Sequence, residues 1–237
     1  MNILIIGATS GIGKALFLMY SSCCNKIGIV GRRRELLEEC RLTAPDTTIP
    51  IVADVTDSDS IQHALDQFME QCGKLDLAIV CAGVGEINPS LDYGLEKPAL
   101  NTNVTGWTYV IDTIYRIMEK QNEGHLVAIT SIGGLRGEPI APAYSATKAY
   151  QINYMEALRK KAFKSKGNIV VTDIRPGLVN TAMAKGEGLF WVMPVDKVAN
   201  QIIEAIRKKK SVAYVTRRWH LLAFINKCVP FCLYKRM

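Results

Sequence analysis

Tyr144-Ser-Ala-Thr-Lys148 sets a phenol and an ammonium four residues apart. On a helix that spacing puts both side chains on one face, one turn apart. A cation beside a phenol favours the phenolate and brings its pKa towards the working range, which suits a group that hands a proton to an oxygen and takes it back. Ser131, thirteen residues upstream, follows the apolar run Leu126–Thr130 and supplies a hydroxyl. The glycine-bearing stretch Ile132–Pro139 is a loop able to bring Ser131 beside Tyr144. A second copy of the pattern, Tyr93-Gly-Leu-Glu-Lys97, falls in a segment with Gly and Pro and has no hydroxyl residue at a matching distance upstream. It reads as a loop and as a decoy.

Gly7-Ala-Thr-Ser-Gly11-Ile-Gly13 lies between an apolar N-terminal run and a helical pattern. Glycines there permit a tight turn and let the backbone approach a pyrophosphate at the positive end of the helix. The end of the second strand then selects the nucleotide. An acid at that point accepts from a ribose 2′-hydroxyl, whereas cations suit a 2′-phosphate. Here Val30-Gly31 runs into Arg32-Arg33-Arg34, with no acid before Glu35. Cations are poorly placed at a helix N-terminus unless an anion joins them. The expected cofactor is NADP(H).

These groups need a frame, and strand and helix patterns alternate along the whole chain. Strands are expected at Ile3–Ile6, Lys26–Val30, Ile49–Val52, Leu75–Val80, Leu126–Thr130, Ile169–Ile174 and Val212–Val215. Helices are expected at Ile12–Tyr20, through Leu36 and Leu37, through Ile61, Ala64, Leu65 and Phe68 with Asp57 or Ser58 as cap, within Pro98–Met118, and at Ala143–Phe163 and Val195–Arg207. Strands apolar on both faces imply a doubly wound, Rossmann-type α/β fold with a seven-stranded parallel sheet covered by helices on both sides. Residues 1–216 form one catalytic, dinucleotide-binding domain; 217–237 form a separate tail.

Composition narrows the class. The chain has 237 residues, 49% hydrophobic and 22% charged, enough for one full core and unlike a disordered protein. No apolar run reaches bilayer length, and the N-terminus reads as a strand rather than a signal peptide. The seven cysteines form no CxxC pair, and His63, His125 and His220 show no ligand spacing, so no metal site is expected. A reducing, cytoplasmic setting follows. The net charge of +7 arises in residues 207–237, which carry nine Lys and Arg and no acids. That argues against a broad nucleic-acid face.

Taken together the motifs resemble the short-chain dehydrogenase/reductase family over residues 1–216. The matching residues are the glycine turn, Asp54-Val55, Ala82-Gly83, Asn103 in Asn-Val-Thr-Gly106, Ser131, Tyr144, Lys148, and Pro176-Gly177 with Thr181. The resemblance implies hydride transfer between NADP(H) and a carbonyl or secondary alcohol, in a homo-oligomer (dimer or tetramer). It implies Tyr144 as general acid, Ser131 holding the carbonyl oxygen, and Lys148 lowering the tyrosine pKa and binding the nicotinamide ribose. Asn103 would hold a water linking Lys148 to solvent. The cofactor would be bound by Gly7, Thr9, Ser10, Gly11, Ile12, Gly13, Arg32, Arg33, Asp54, Val55, Ala82, Gly83, Tyr144, Lys148, Pro176, Gly177, Val179 and Thr181. Within that set Ser10 and Arg32 match the 2′-phosphate positions, Asp54 and Val55 the adenine contacts, and Val179 and Thr181 the carboxamide contacts. The chain departs from the pattern at Ile6, where the family has threonine, and at Val80-Cys81, where it has paired asparagines.

Leu189-Phe-Trp-Val-Met193 reads as an apolar lid over the substrate, or as a segment packed on the core. The tail interleaves five cations with Trp219, Leu221, Leu222, Phe224, Ile225, Phe231 and Leu233. Pro230 ends its helical stretch, leaving about Trp219–Val229, too short to span a bilayer. It suits peripheral contact with an anionic membrane, with packing on the core or at a subunit interface as the alternative. Lid and tail together suggest a lipid-like substrate such as a long-chain 3-keto compound. Two rivals are a catalytically inactive NADP(H)-sensing regulator and a Rossmann-like methyltransferase. Neither has a use for the complete Ser131, Tyr144, Lys148 and Asn103 set.

Overall fold

The computed structural model describes residues 1–184 and 191–235, the side chains of residues 217, 222, 224, 226 and 227 excepted. Seven strands form one sheet: β1 (Asn2–Ile6), β2 (Lys26–Gly31), β3 (Thr48–Val52), β4 (Leu77–Val80), β5 (Glu123–Ile129), β6 (Asn168–Pro176) and β7 (Val212–Val215). Their order is β3-β2-β1-β4-β5-β6-β7, every pairing parallel. This is the doubly wound sheet expected from the alternation of patterns. Both strand faces are apolar because both are covered. One face packs under α3 (Ser58–Cys72), α5 (Trp107–Gln121) and α6 (Pro142–Ser165), around Phe68, Trp107 and Met155. The other packs under α1 (Gly11–Tyr20), α2 (Arg34–Thr43) and α7 (Val195–Arg207), around Phe17, Leu37 and Ile202. Fully burying side chains of this size stabilises by roughly 1.5–3 kcal/mol each relative to exposure.

Most boundaries fall where the sequence placed them. Asp57 caps α3, its carboxylate accepting from the amides of Asp59 and Ser60 at 3.0 and 3.1 Å. One expectation is corrected. Tyr93 and Lys97 lie on a short helix, α4 (Tyr93–Leu100), rather than in a loop. Asp92 caps it by accepting from Gly94 N at 2.7 Å, and Pro98 does not prevent it. The long helix expected within Pro98–Met118 is α5, and a π-helical turn (Asn101–Gly106) joins it to α4.

The strand order reverses between β1 and β4, and this switch point opens a crevice at the C-terminal strand ends, where ligands bind in such sheets. After β7 the chain continues into α8 (Arg217–Cys228) and, past Pro230, α9 (Phe231–Tyr234). Among the described residues no helix is long and apolar enough to cross a membrane.

Candidate active site

One cleft of about 1920 Å³ follows the switch point. Single-ligand pockets run to roughly 300–1,000 Å³, so this one has room for a dinucleotide and a second molecule. Every expected site residue except Asn103 lines it. Asn103 lies fully buried behind it.

At one end is the glycine turn. Gly7 has φ +87°, and a Cβ there would meet Ala82 N at 2.8 Å, so only glycine lets β1 leave the sheet beside Ala82. The turn delivers the N-terminus of α1 with no acid in its first turn and no side chain capping it. Its free amides are donors for an anion. Arg33 reaches back over this turn, its Nη2 donating to Thr9 Oγ1 at 2.7 Å and to Ser10 Oγ at 3.1 Å. Arg32 turns the other way and pairs with Asp54 at 3.5 Å, its side chain 67% exposed. The cation beside Ser10 is therefore Arg33, where the resemblance had matched Arg32. Burial would push the Asp54 carboxyl up, but hydrogen bonds from Thr56 and the charge of Arg32 hold it below its ordinary value. The amide donors and cations at this end fit the phosphates of a dinucleotide.

At the other end, Ser131 ends the β5 connection and its Oγ accepts from Gly133 N at 3.0 Å. Tyr144 and Lys148 extend from one face of α6, the Lys148 Nζ 5.9 Å from the tyrosine ring centre. Desolvation raises the Tyr144 pKa, and a hydrogen bond with Ser131 opposes that rise. Lys148 is pulled down to about 8 by burial, with the negative field of Asp173 opposing and the Cys81 thiol adding to that opposition. Burial pushes the Cys81 thiol itself up to about 12, and the charge of Lys148 opposes that rise. Tyr93, by contrast, is 64% exposed on α4, and it does not line the cleft.

Asn103 owes its place to the π turn. Its Oδ1 accepts from Val84 N at 2.9 Å and its Nδ2 donates to Val84 O at 2.7 Å, so the side chain pairs with the strand connection after β4 like another strand. That pull holds the turn out of regular helical register. The Asn103 carbonyl then accepts from Gln151 Nε2 at 2.8 Å, and Gln151 Oε1 accepts from Lys148 Nζ at 2.9 Å. A side-chain bridge thus stands on the path for which the resemblance implied a water. Sequence reasoning missed Gln151, although its position three residues after Lys148 puts it on the same helix face.

It also missed the wall opposite. Trp219 on α8 is buried against Gly177, where a Cβ would come within 2.3 Å of the indole. Arg136 Nη2 donates to the Val229 carbonyl, and the Tyr234 hydroxyl donates to Gly137 O at 2.7 Å. Trp219, Ala223, Ile225, Phe231 and Tyr234 line the cleft. The tail is folded onto the loop that carries Ser131. Of the expected lid, Leu189 and Phe190 lie outside the described residues. Trp191 stands edge-on to Trp219 at 6.2 Å, and Met193 pairs with Val179.

Fold and cleft together define a Rossmann-type α/β protein with a tyrosine and a lysine at the carboxyl edge of the sheet. Comparison with known proteins gives the class a name. The family model of the short chain dehydrogenases matches residues 1–189. An uncharacterised oxidoreductase of Myxococcus xanthus is 32% identical over 185 residues, covering 76% of this chain and 72% of the relative. A short chain dehydrogenase/reductase of Burkholderia phymatum, solved in complex with NAD, superposes with TM-score 0.85 at 20% identity, covering 95% of this chain and 92% of its own. A serine dehydrogenase in complex with NADP+ superposes with TM-score 0.80 at 24% identity, over 87% of this chain and 89% of its own. The chain belongs to the short-chain dehydrogenase family, oxidoreductases that work with nicotinamide cofactors.

Proposed function

We propose that this oxidoreductase is an NADPH-dependent carbonyl reductase, equally a secondary-alcohol dehydrogenase in reverse, acting on an apolar, lipid-like compound. The observation that carries the reading is one continuous cleft with Arg33 and Ser10 at one end and Ser131, Tyr144 and Lys148 at the other.

NADPH, when bound, supplies the hydride. The chain's own residues do the rest. The α1 amides and the glycine turn would hold its pyrophosphate, Arg33 with Ser10 its 2′-phosphate, and Asp54-Val55 its adenine. Pro176, Gly177, Val179 and Thr181 would hold the nicotinamide end. Ser131 donates a hydrogen bond to the carbonyl oxygen and orients it towards Tyr144. The Tyr144 hydroxyl gives that oxygen its proton, which with a hydride received at carbon completes the CH–OH group. The Lys148 ammonium stabilises the phenolate left behind, and solvent restores the proton.

The apolar wall of Trp219, Ala223, Ile225 and Phe231 supports an apolar substrate. Along the tail, Leu221 and Leu233 are exposed, Ile225 and Phe231 are exposed in part at the cleft, and Arg218 and Lys235 are exposed as well. That combination supports peripheral contact with an anionic lipid surface, which would bring such a substrate to the cleft. Screening short and long-chain ketones for consumption of NADPH and of NADH tests the assignment. Turnover of long-chain ketones with NADPH is expected. No turnover with any carbonyl, or equal use of NADH, overturns it.

A further inference from the structure

The buried amide behind the lysine has no part in the reading above, yet its geometry is tightly specified. Gln151 is 0% exposed and uses both ends of its amide. Its Nε2 donates to the Asn103 carbonyl at 2.8 Å, and its Oε1 accepts from Lys148 Nζ at 2.9 Å. The amide cannot turn over, because a flip would set its NH₂ against an ammonium and its oxygen against a carbonyl. The Asn103 carbonyl is open to this donor because it sits in the π turn held by Val84.

We propose that Gln151 is a positioning residue for Lys148: it joins the lysine to the Asn101–Gly106 turn through a direct side-chain bridge and aims its remaining N–H at the cleft. An ammonium has three N–H donors. One goes to the Ile129 carbonyl at 3.3 Å and one to Gln151, so the third faces Tyr144. The groups around Lys148 come from every neighbouring element. They are Tyr144 from α6 itself, Asp173 from β6, Cys81 after β4, the Ile129 carbonyl from β5 and the Asn103 side chain from the π turn. Of these, Tyr144, Cys81 and Asp173 can titrate. Gln151 adds a hydrogen bond to the charged lysine without adding a charge, and so keeps the ammonium protonated in a buried place. An amide also carries no proton onward as a water would. Proton return to Tyr144 therefore runs from the cleft side rather than through the back of Lys148.

The proposal deepens the reductase reading and rests on Lys148 serving Tyr144, but its first test is independent of turnover. Competitive acylation of the cofactor-free protein over a pH series, read by peptide mass spectrometry, gives the Lys148 pKa directly. Gln151→Met removes both hydrogen bonds at similar volume and should lower that pKa by about one unit, a tenfold loss of proton affinity. Gln151→Glu keeps an oxygen beside the ammonium and should hold the pKa at or above the wild-type value. In carbonyl reduction, the alkaline limb of kcat/KM should move in the same direction in each variant, with kcat in Gln151→Met reduced about tenfold or more and KM changed less. A folded Gln151→Met protein with unchanged Lys148 pKa overturns the proposal, as does a Gln151→Glu protein whose pKa falls. If Gln151→Met does not fold, the Glu variant decides alone. If acylation behaves as expected while no carbonyl turns over, the reductase reading fails and the positioning role stands.

Discussion

Replacing Arg33 with alanine separates the two nucleotides. Its guanidinium is already pinned over the glycine turn by Thr9 and Ser10, so little side-chain freedom is lost when a phosphate arrives. A charge-assisted contact of this kind contributes about 1.5–3 kcal/mol, which is about 10–150-fold in Kd. Arg32 is two-thirds exposed and already neutralised by Asp54. An exposed charge contact contributes up to about 1 kcal/mol, so Arg32→Ala should weaken NADPH by about fivefold or less. NADH lacks the phosphate, and its Kd should move by about twofold or less in either variant, because no charge-assisted contact is lost. Fluorescence titration of both nucleotides into wild type, Arg33→Ala and Arg32→Ala reads all six constants at each of two salt concentrations. Equal losses for NADPH and NADH in Arg33→Ala would show that the arginine supports the turn rather than the phosphate. A larger loss in Arg32→Ala would restore the assignment made from the resemblance.

Three further outcomes are expected. Tyr144→Phe should lower kcat for reduction by ~10²–10⁴-fold with NADPH binding kept, and Tyr93→Phe should be silent; steady-state rates that rank the two the other way remove Tyr144 from the chemistry. A chain ending at Thr216 loses the Trp219 wall and should show a raised KM for apolar ketones, nearly unchanged NADPH affinity, and no co-sedimentation with anionic liposomes. If full and shortened chains both stay in the supernatant at low salt, the tail is a packing element alone. His125 is held down to about 4 by burial, with Lys209 adding to the shift, whereas an ordinary histidine titrates near 6.5. The unfolded chain therefore binds the extra proton first, and stability falls as pH drops from 6.5 towards 4, by at most about 3 kcal/mol. His125→Gln should flatten that loss in thermal melts at pH 7 and 4.5, and an equally steep loss in the variant would clear His125 of it.

The sheet was legible because each strand is a short apolar run closed by a turn or a cap, and Asp57 shows how local such signals are. The glycine turn was legible for the same reason: Gly7 answers to a backbone conformation. What escaped was set by distant partners. The break at residues 101–106 is made by Val84, nineteen positions away from Asn103, so no local pattern in Pro98–Met118 betrays it. The Tyr93 helix was hidden by glycine and proline, whose propensities Asp92 and packing under Ala99 override. Choosing between Arg32 and Arg33 needed the positions of Asp54 and Ser10 in space. Trp219 was visible as an aromatic, but its burial depends on Gly177 leaving room for it. Gln151 could have been found, since a polar side chain on the same helix face as Tyr144 and Lys148 is a signal that spacing alone supplies.

The cleft draws its walls from two separate stretches of the chain. The glycine turn, Ser131, Tyr144 and Lys148 lie before residue 149, whereas Trp219, Phe231 and Tyr234 follow β7. A substitution at any of these last three alters the far side of the cavity and leaves the groups at its floor unchanged. Shape and chemistry are therefore separable by mutation in this chain.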